Sequence, residues 1–198
     1  MAANSSNRHA ASAPHRLDRR SVLGLLLSAC LVGESRAQAG AAAFEYRIKA
    51  AFLCKFASYV EWPVQAFAQA DSPVVVGVIG PDAVAAELTR TAAALSVGGR
   101  SIVVRRVHRG QQVAGLHLLY IACSDSMQFA DMLSALHGQP VLTVTESPWA
   151  VPPESMINFV VVDDKVRFDI APRVAESNKL KISARLLGVA RSLIGQTS

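Results

Sequence analysis

The chain has 198 residues, of which 51% are hydrophobic and 18% charged. That balance excludes an intrinsically disordered chain and leaves enough apolar material for a packed core. The formal net charge is +5, but residues 1–39 hold five of the 20 Lys and Arg and two of the 15 Asp and Glu. The remainder therefore carries 15 basic and 13 acidic residues, a net of +2, which removes the support for a nucleic-acid-binding reading.

Residues 1–39 read as a secretory signal peptide. Arg16, Arg19 and Arg20 form a positive start, and Ser21 to Gly33 is an apolar run. The run is shorter than the roughly 20 residues that a membrane span needs. Ala37-Gln38-Ala39 is a small-x-small cleavage signal. Arg19-Arg20 loosely resembles a twin-arginine signal, and Leu27 to Cys30 resembles a lipoprotein cleavage box. The expectation is export to the periplasm with cleavage near Ala39, and a lipid anchor at Cys30 is the competing route. Residues 40–198 are expected to form one domain.

The stretch IKAAFLCKFASYVEWP, Ile48 to Pro63, predicts a helix ended by Trp62-Pro63. On a wheel turning about 100° per residue, Phe52, Phe56, Tyr59 and Val60 join Ile48 on one apolar face, with Leu53 at its edge. Cys54 falls nearly opposite. Lys49 falls inside the stripe and needs a carboxylate, with Asp169 or Glu176 as candidates.

Pro73 to Gly80 is a β-branched run and predicts a buried strand. Pro81 opens a helix that runs to about Leu95. Gly98-Gly99 is a turn. Ser101 to His108 and Leu116 to Cys123 predict the next two strands. A helix follows from the cap residues Ser124 to Ser126 to Gly138. Pro140 to Glu146 predicts a fourth strand. Ile157 to Ile170 reads as a hairpin turning at Asp163-Asp164. Two helices close the chain, Pro172 to Asn178 and Ser183 to Ile194. The second has Leu186, Leu187, Ala190, Leu193 and Ile194 on one face. The fold class is α/β: a mainly parallel sheet covered by helices on both faces, with a C-terminal antiparallel hairpin and terminal helices.

Chemistry is sparse. His108, His117 and His137 lack metal-ligand spacing, and the sequence has no nucleophile elbow, zinc helix or phosphate-binding loop. Asp163-Asp164 reads as a solvated turn. Cys123, between a strand and a helix start, is either a structural thiol or a nucleophile. No catalytic residue, metal or cofactor is assigned. Cys54 and Cys123 are candidates for a disulfide in an oxidising compartment. If the first, third and fourth strands are parallel, Gly80, Pro81, Ser124, Ser126 and Trp149 meet at their carboxyl ends as a candidate ligand crevice. Capped turns with Trp149 in the core are the plainer alternative.

The opening stretch also resembles the N-terminal signature of the YfiR-like periplasmic family: a Lys-Ala-Ala-Phe-Leu run, an aromatic pair and a closing Val-Glu-Trp-Pro. The stretch INFVVVDDKVRFDIAPRVAESNKLKISARLLGVARSL is similar to the family's strand-turn-strand, its Arg-Phe-x-Ile step and its closing helix. The resemblance covers about residues 44 to 194. It implies a non-enzymatic periplasmic protein that represses an inner-membrane diguanylate cyclase by binding its periplasmic sensor region, lowering cyclic di-GMP and biofilm formation. It also implies that a homodimer and redox sensitivity are within the family's range. A two-bridge pattern does not carry over to a chain with two cysteines beyond residue 39. The expected contact surface is the C-terminal helix, around Ile182, Arg185, Leu186 and Arg191. The alternative is a small-molecule or peptide binding module that uses the crevice, associated with an outer-membrane transport system.

Overall fold

The computed structural model describes residues 40–108, 111, 113–122, 130–147 and 151–195. Helix α1 (40–58) is followed by a two-residue strand β1 (Val60–Glu61) and a 3-10 turn (Val64–Ala66). The helix stops before Trp62 because Val60 and Glu61 pair with Ile182 and Lys181 of β9 (Lys181–Ile182). Then come β2 (Val74–Ile79), α2 (Asp82–Ala92), β3 (Ser96–Val97), β4 (Arg100–Arg106), β5 (Leu118–Ile121), α3 (Ala130–Ala135) and β6 (Leu142–Glu146). The chain continues through β7 (Ile157–Val162), β8 (Lys165–Ile170), α4 (Pro172–Ser177), β9, α5 (Ala184–Leu187) and β10 (Ser192–Leu193).

The main sheet runs β10-β8-β7-β6-β5-β2-β4-β3. The five central strands from β7 to β4 are parallel. The β7–β8 hairpin and the β3–β4 pair are antiparallel. Asp163 and Asp164 both have positive φ, 49° and 57°, the geometry a two-residue hairpin turn needs, supplied here without glycine. The expected α/β class, with a mainly parallel sheet and a C-terminal hairpin, is the fold observed.

Alternation along the strands divides the core. Val74, Val76, Val78, Leu118, Tyr120, Leu142 and Val144 belong to the larger core, with α1, α2 and α4. Leu119 and Ile121 belong to the smaller one, with Leu133 of α3. Helices thus cover both faces. The larger core is aromatic: the Phe56 ring lies 4.9 Å from Phe168, 5.6 Å from Phe159 and 5.9 Å from Phe52, centroid to centroid.

Four expectations are corrected. The buried face of α1 contains Lys49, Ala50, Leu53, Cys54, Phe56 and Ala57. Tyr59 is exposed and Cys54 is core. Ala50 and Ala57 are fully buried on that face beside Leu53 and Phe56, so the aromatic residues alone do not mark it. Lys49 pairs with neither Asp169 nor Glu176, but with Glu45 and Glu146. The last helix spans only Ala184–Leu187. Beyond it the chain adds to the edge of β8, where the Arg191 N–H donates to the Phe168 carbonyl (2.8 Å) and the Ile194 N–H to that of Ile170 (2.7 Å). The open backbone groups of β8 thus prevail over the helical spacing of Leu193 and Ile194. Finally, the short strands β1, β3, β9 and β10 carry too few residues for a periodicity to register.

Candidate functional site

Two polar clusters sit at opposite ends of the parallel strands. At the carboxyl end, Lys49 is only 1% exposed. Its ammonium binds Glu45, one helical turn back, and Glu146 Oε1 at 2.6 Å. The other oxygen of Glu146 accepts the Tyr120 hydroxyl at 2.8 Å. Burial, then the neighbouring Glu146 carboxylate, push the Tyr120 phenol well above its ordinary range, so it stays a donor. With both carboxylates holding it, Lys49 acts as a tie between α1 and the ends of β5 and β6 rather than as a free amine. Glu146 falls in phase with Leu142 and Val144, on the α1 face of β6. That phase is the sequence signal for the pairing.

At the amino end, the Val75 N–H donates to His117 Nδ1 at 3.0 Å. An imidazole that accepts there carries its proton on Nε2, which faces the Ala66 carbonyl at 3.1 Å. Phe67 stacks on the ring at 4.3 Å, and Arg100 lies 3.9 Å from the centre of Phe67. The Trp62 indole donates to the His117 carbonyl (3.2 Å), so Trp62 is a packing residue. Burial, with a smaller contribution from Arg100, lowers the His117 pKa, against an opposing effect of the Ala66 bond.

On the opposite face from Lys49, Asn158 Oδ1 accepts from Thr145 Oγ1 and the Ser147 N–H, both at 2.9 Å. Its amide donates to the Ser147 carbonyl at 3.0 Å. Ser155 is 2.6 Å from Thr145. These bonds fasten the entry to and exit from the β6–β7 connection.

Of the expected crevice, Gly80 and Pro81 lie after β2, at the carboxyl end of the sheet. Gly80 has φ 142°, and a Cβ there would meet Ala122 Cβ at 2.7 Å, so this turn requires glycine. Ser124, Ser126 and Trp149 lie outside the described residues. So does Cys123, the other half of the expected cysteine pair. Cys54 is a buried free thiol, and burial raises its pKa. Among the described residues, no three His, Cys, Asp or Glu side chains are placed to hold a metal ion.

The expected C-terminal surface is composite. Ile182 is half-buried in β9, Arg185 is exposed on α5, and Leu186 is turned into the core. Ser183 caps α5, its N–H bonded to the Tyr59 carbonyl at 2.9 Å. Arg191 is held by the buried Asp169 through Nε at 2.8 Å and through Nη2, and that bonding raises its pKa. Tyr59, Arg185 and Val189 are exposed, Val189 by 68%.

An α/β domain with internally satisfied polar clusters and an apolar-basic C-terminal surface is the setting for the comparison with known proteins. Residues 46–191 match the YfiR/HmsC-like family, and the chain belongs to it. The family is periplasmic, and its theme is regulatory, in cyclic di-GMP signalling. A comparison with curated proteins gives no match. Among the described residues, no helix is long and apolar enough to cross a membrane.

Proposed function

We propose that this protein is a periplasmic repressor of a membrane-bound diguanylate cyclase, acting by binding the cyclase's periplasmic sensor region. The observation that carries this reading is the family match over residues 46–191. Repression by binding requires a difference in affinity: the repressor holds the inactive sensor conformation more tightly than the active one. The contact surface assigned in this reading is the C-terminal one, centred on Arg185 with Ile182, Val189 and Tyr59. The Ser183–Tyr59 and Arg191–Asp169 bonds would hold that surface rigid, so less ordering accompanies binding.

The test is cellular. In a strain lacking the gene, a wild-type copy should lower cyclic di-GMP. An Arg185→Glu copy, folded and exported to the same level, should fail to do so. Equal repression by both copies would move the contact off this surface. No repression by the wild-type copy would remove the function.

A further inference from the structure

The two edges of the main sheet are finished differently. On β8, the outward-facing carbonyls of Phe168 and Ile170 accept the N–H groups of Arg191 and Ile194, and the strand begins with a lysine, Lys165. On β4, the small strand β3 pairs only with Arg100 and Ser101. The Val107 N–H donates inward to the Val78 carbonyl. By alternation the backbone groups of Val103 and Arg105 also face β2, and those of Ile102, Val104 and Arg106 face outward. Among the described residues, no other strand pairs with them.

An edge this long is ordinarily blunted by charged side chains, above all lysine, by proline, by a bulge or by a covering element. The sequence RSIVVRR of β4 has neither lysine nor proline, and Val103 is 46% exposed. Its charge is one-sided. Between Glu87 and Asp125 the sequence has no acidic residue and five arginines: Arg90, Arg100, Arg105, Arg106 and Arg109. Arg90 and Arg106 pair with Glu87 and Asp82. Among the described residues, Arg105 reaches only the Ala114 carbonyl, at 3.1 Å, whereas Arg100 is engaged by the carbonyls of Gln69 and Ser72 and by the Phe67 ring.

We propose that the β4 edge is a docking strand for an acidic, extended segment of a partner protein. The segment adds to the sheet beside Ile102, Val104 and Arg106, and its carboxylates, all on one face of the added strand, meet Arg105. In strand addition the main-chain bonds give affinity and the alternate side chains give selectivity. A second copy of this chain is the poorer occupant, because its own arginine-rich edge would face this one and like charges on adjacent strands repel. The edge lies at the other end of the strand order from β10, so this surface is separate from the C-terminal one and does not depend on the identity of the cyclase.

The probe is a fluorescein-labelled peptide of about eight residues alternating valine and glutamate, long enough to span the open edge. Binding is read by fluorescence anisotropy against the folded protein. Four controls accompany it: the same peptide N-methylated at alternate amides, a valine-lysine version, and the Arg105→Glu and Val104→Pro variants. Val104→Pro removes an outward N–H and leaves the inward bonds of Val103 and Arg105 in place. The expected result is salt-sensitive binding that weakens at least about tenfold on N-methylation and in either variant. Arg105→Glu changes an exposed side chain, so it reads the proposal even if Val104→Pro fails to fold. Absent binding, equal binding of the N-methylated or lysine peptide, or binding unchanged by Arg105→Glu would each overturn the proposal. So would a self-association of the protein that the peptide displaces, which would give the edge to a second copy.

Discussion

Strand β5 carries a different kind of tie at each end. At its start, His117 is neutral and joins β2 to the segment after α1, by one hydrogen bond to each and a ring stack on Phe67. Near its finish, Tyr120 joins an ionic cluster that holds α1 itself. The neutral tie needs no counter-charge, and it fails when a proton is added, because Nδ1 can no longer accept the Val75 N–H. The ionic tie is broken by removal of one of its members. The contrast teaches that equally buried polar groups can be vulnerable to quite different changes.

The largest expected effect comes from removing the centre of the ionic tie. Lys49→Met leaves Glu45 and Glu146 facing an apolar side chain. Both carboxylates are about a third exposed and can turn to water, so the cost is about 2–3 kcal/mol, below that of stranding a fully buried charge. It would show as a lower urea midpoint. Unchanged or improved stability would mean that the cluster is dispensable.

The neutral tie ranks next. His117→Phe keeps the ring stack but leaves the Val75 N–H and the Ala66 carbonyl without their partner. The expected loss is about 2 kcal/mol by the same measurement. A loss under half a kilocalorie would show that water takes over both bonds.

A smaller effect is the pH dependence of that tie. His117 has a folded-state pKa below its ordinary 6.5, so the unfolded chain binds the proton more readily. Its contribution is complete above pH 6.5 and is lost as pH falls through the folded-state value. Urea midpoints at pH 7.5 and 5.5 should therefore differ more for the wild-type protein than for His117→Phe. Parallel pH dependence in the two proteins would remove His117 as the cause.

The smallest effect is Tyr120→Phe. It deletes one hydrogen bond to a carboxylate that retains Lys49, for about 1 kcal/mol. A cost equal to that of Lys49→Met would mean that the phenol, not the ammonium, holds the cluster.

Much of the fold was legible because local signals and packing agree. VVVGVI, LLYI and LTVTE are β-branched or aliphatic runs that become central strands. Asp163-Asp164 marks its hairpin. The C-terminal segment was misread because Leu186 to Ile194 satisfies a helical period, while the open edge of β8 and the carboxylate of Asp169 compete for Gly188 to Ile194. The polar ties were only half legible. Lys49 announced a need for a carboxylate, but Glu146 is 97 residues away, and nothing short-range connects the two. His117 gave no signal at all, since its partners are backbone groups from other segments. The family signatures at the two ends of the chain became intelligible in the structure. The first places Lys49 and Phe56 on the sheet, and the second supplies Phe168 and the Asp169–Arg191 pair that fastens the last strand.

The most direct test of the central claim is where the protein must be to act. In a strain lacking the gene, cyclic di-GMP would be measured with the full-length chain and with a version lacking residues 1–39, at matched levels of folded protein. The account predicts that the full-length form lowers cyclic di-GMP and the shortened form does not, since the sensor region it is proposed to bind lies outside the cytoplasm. Equal lowering by both forms, or by neither, would contradict a periplasmic repressor.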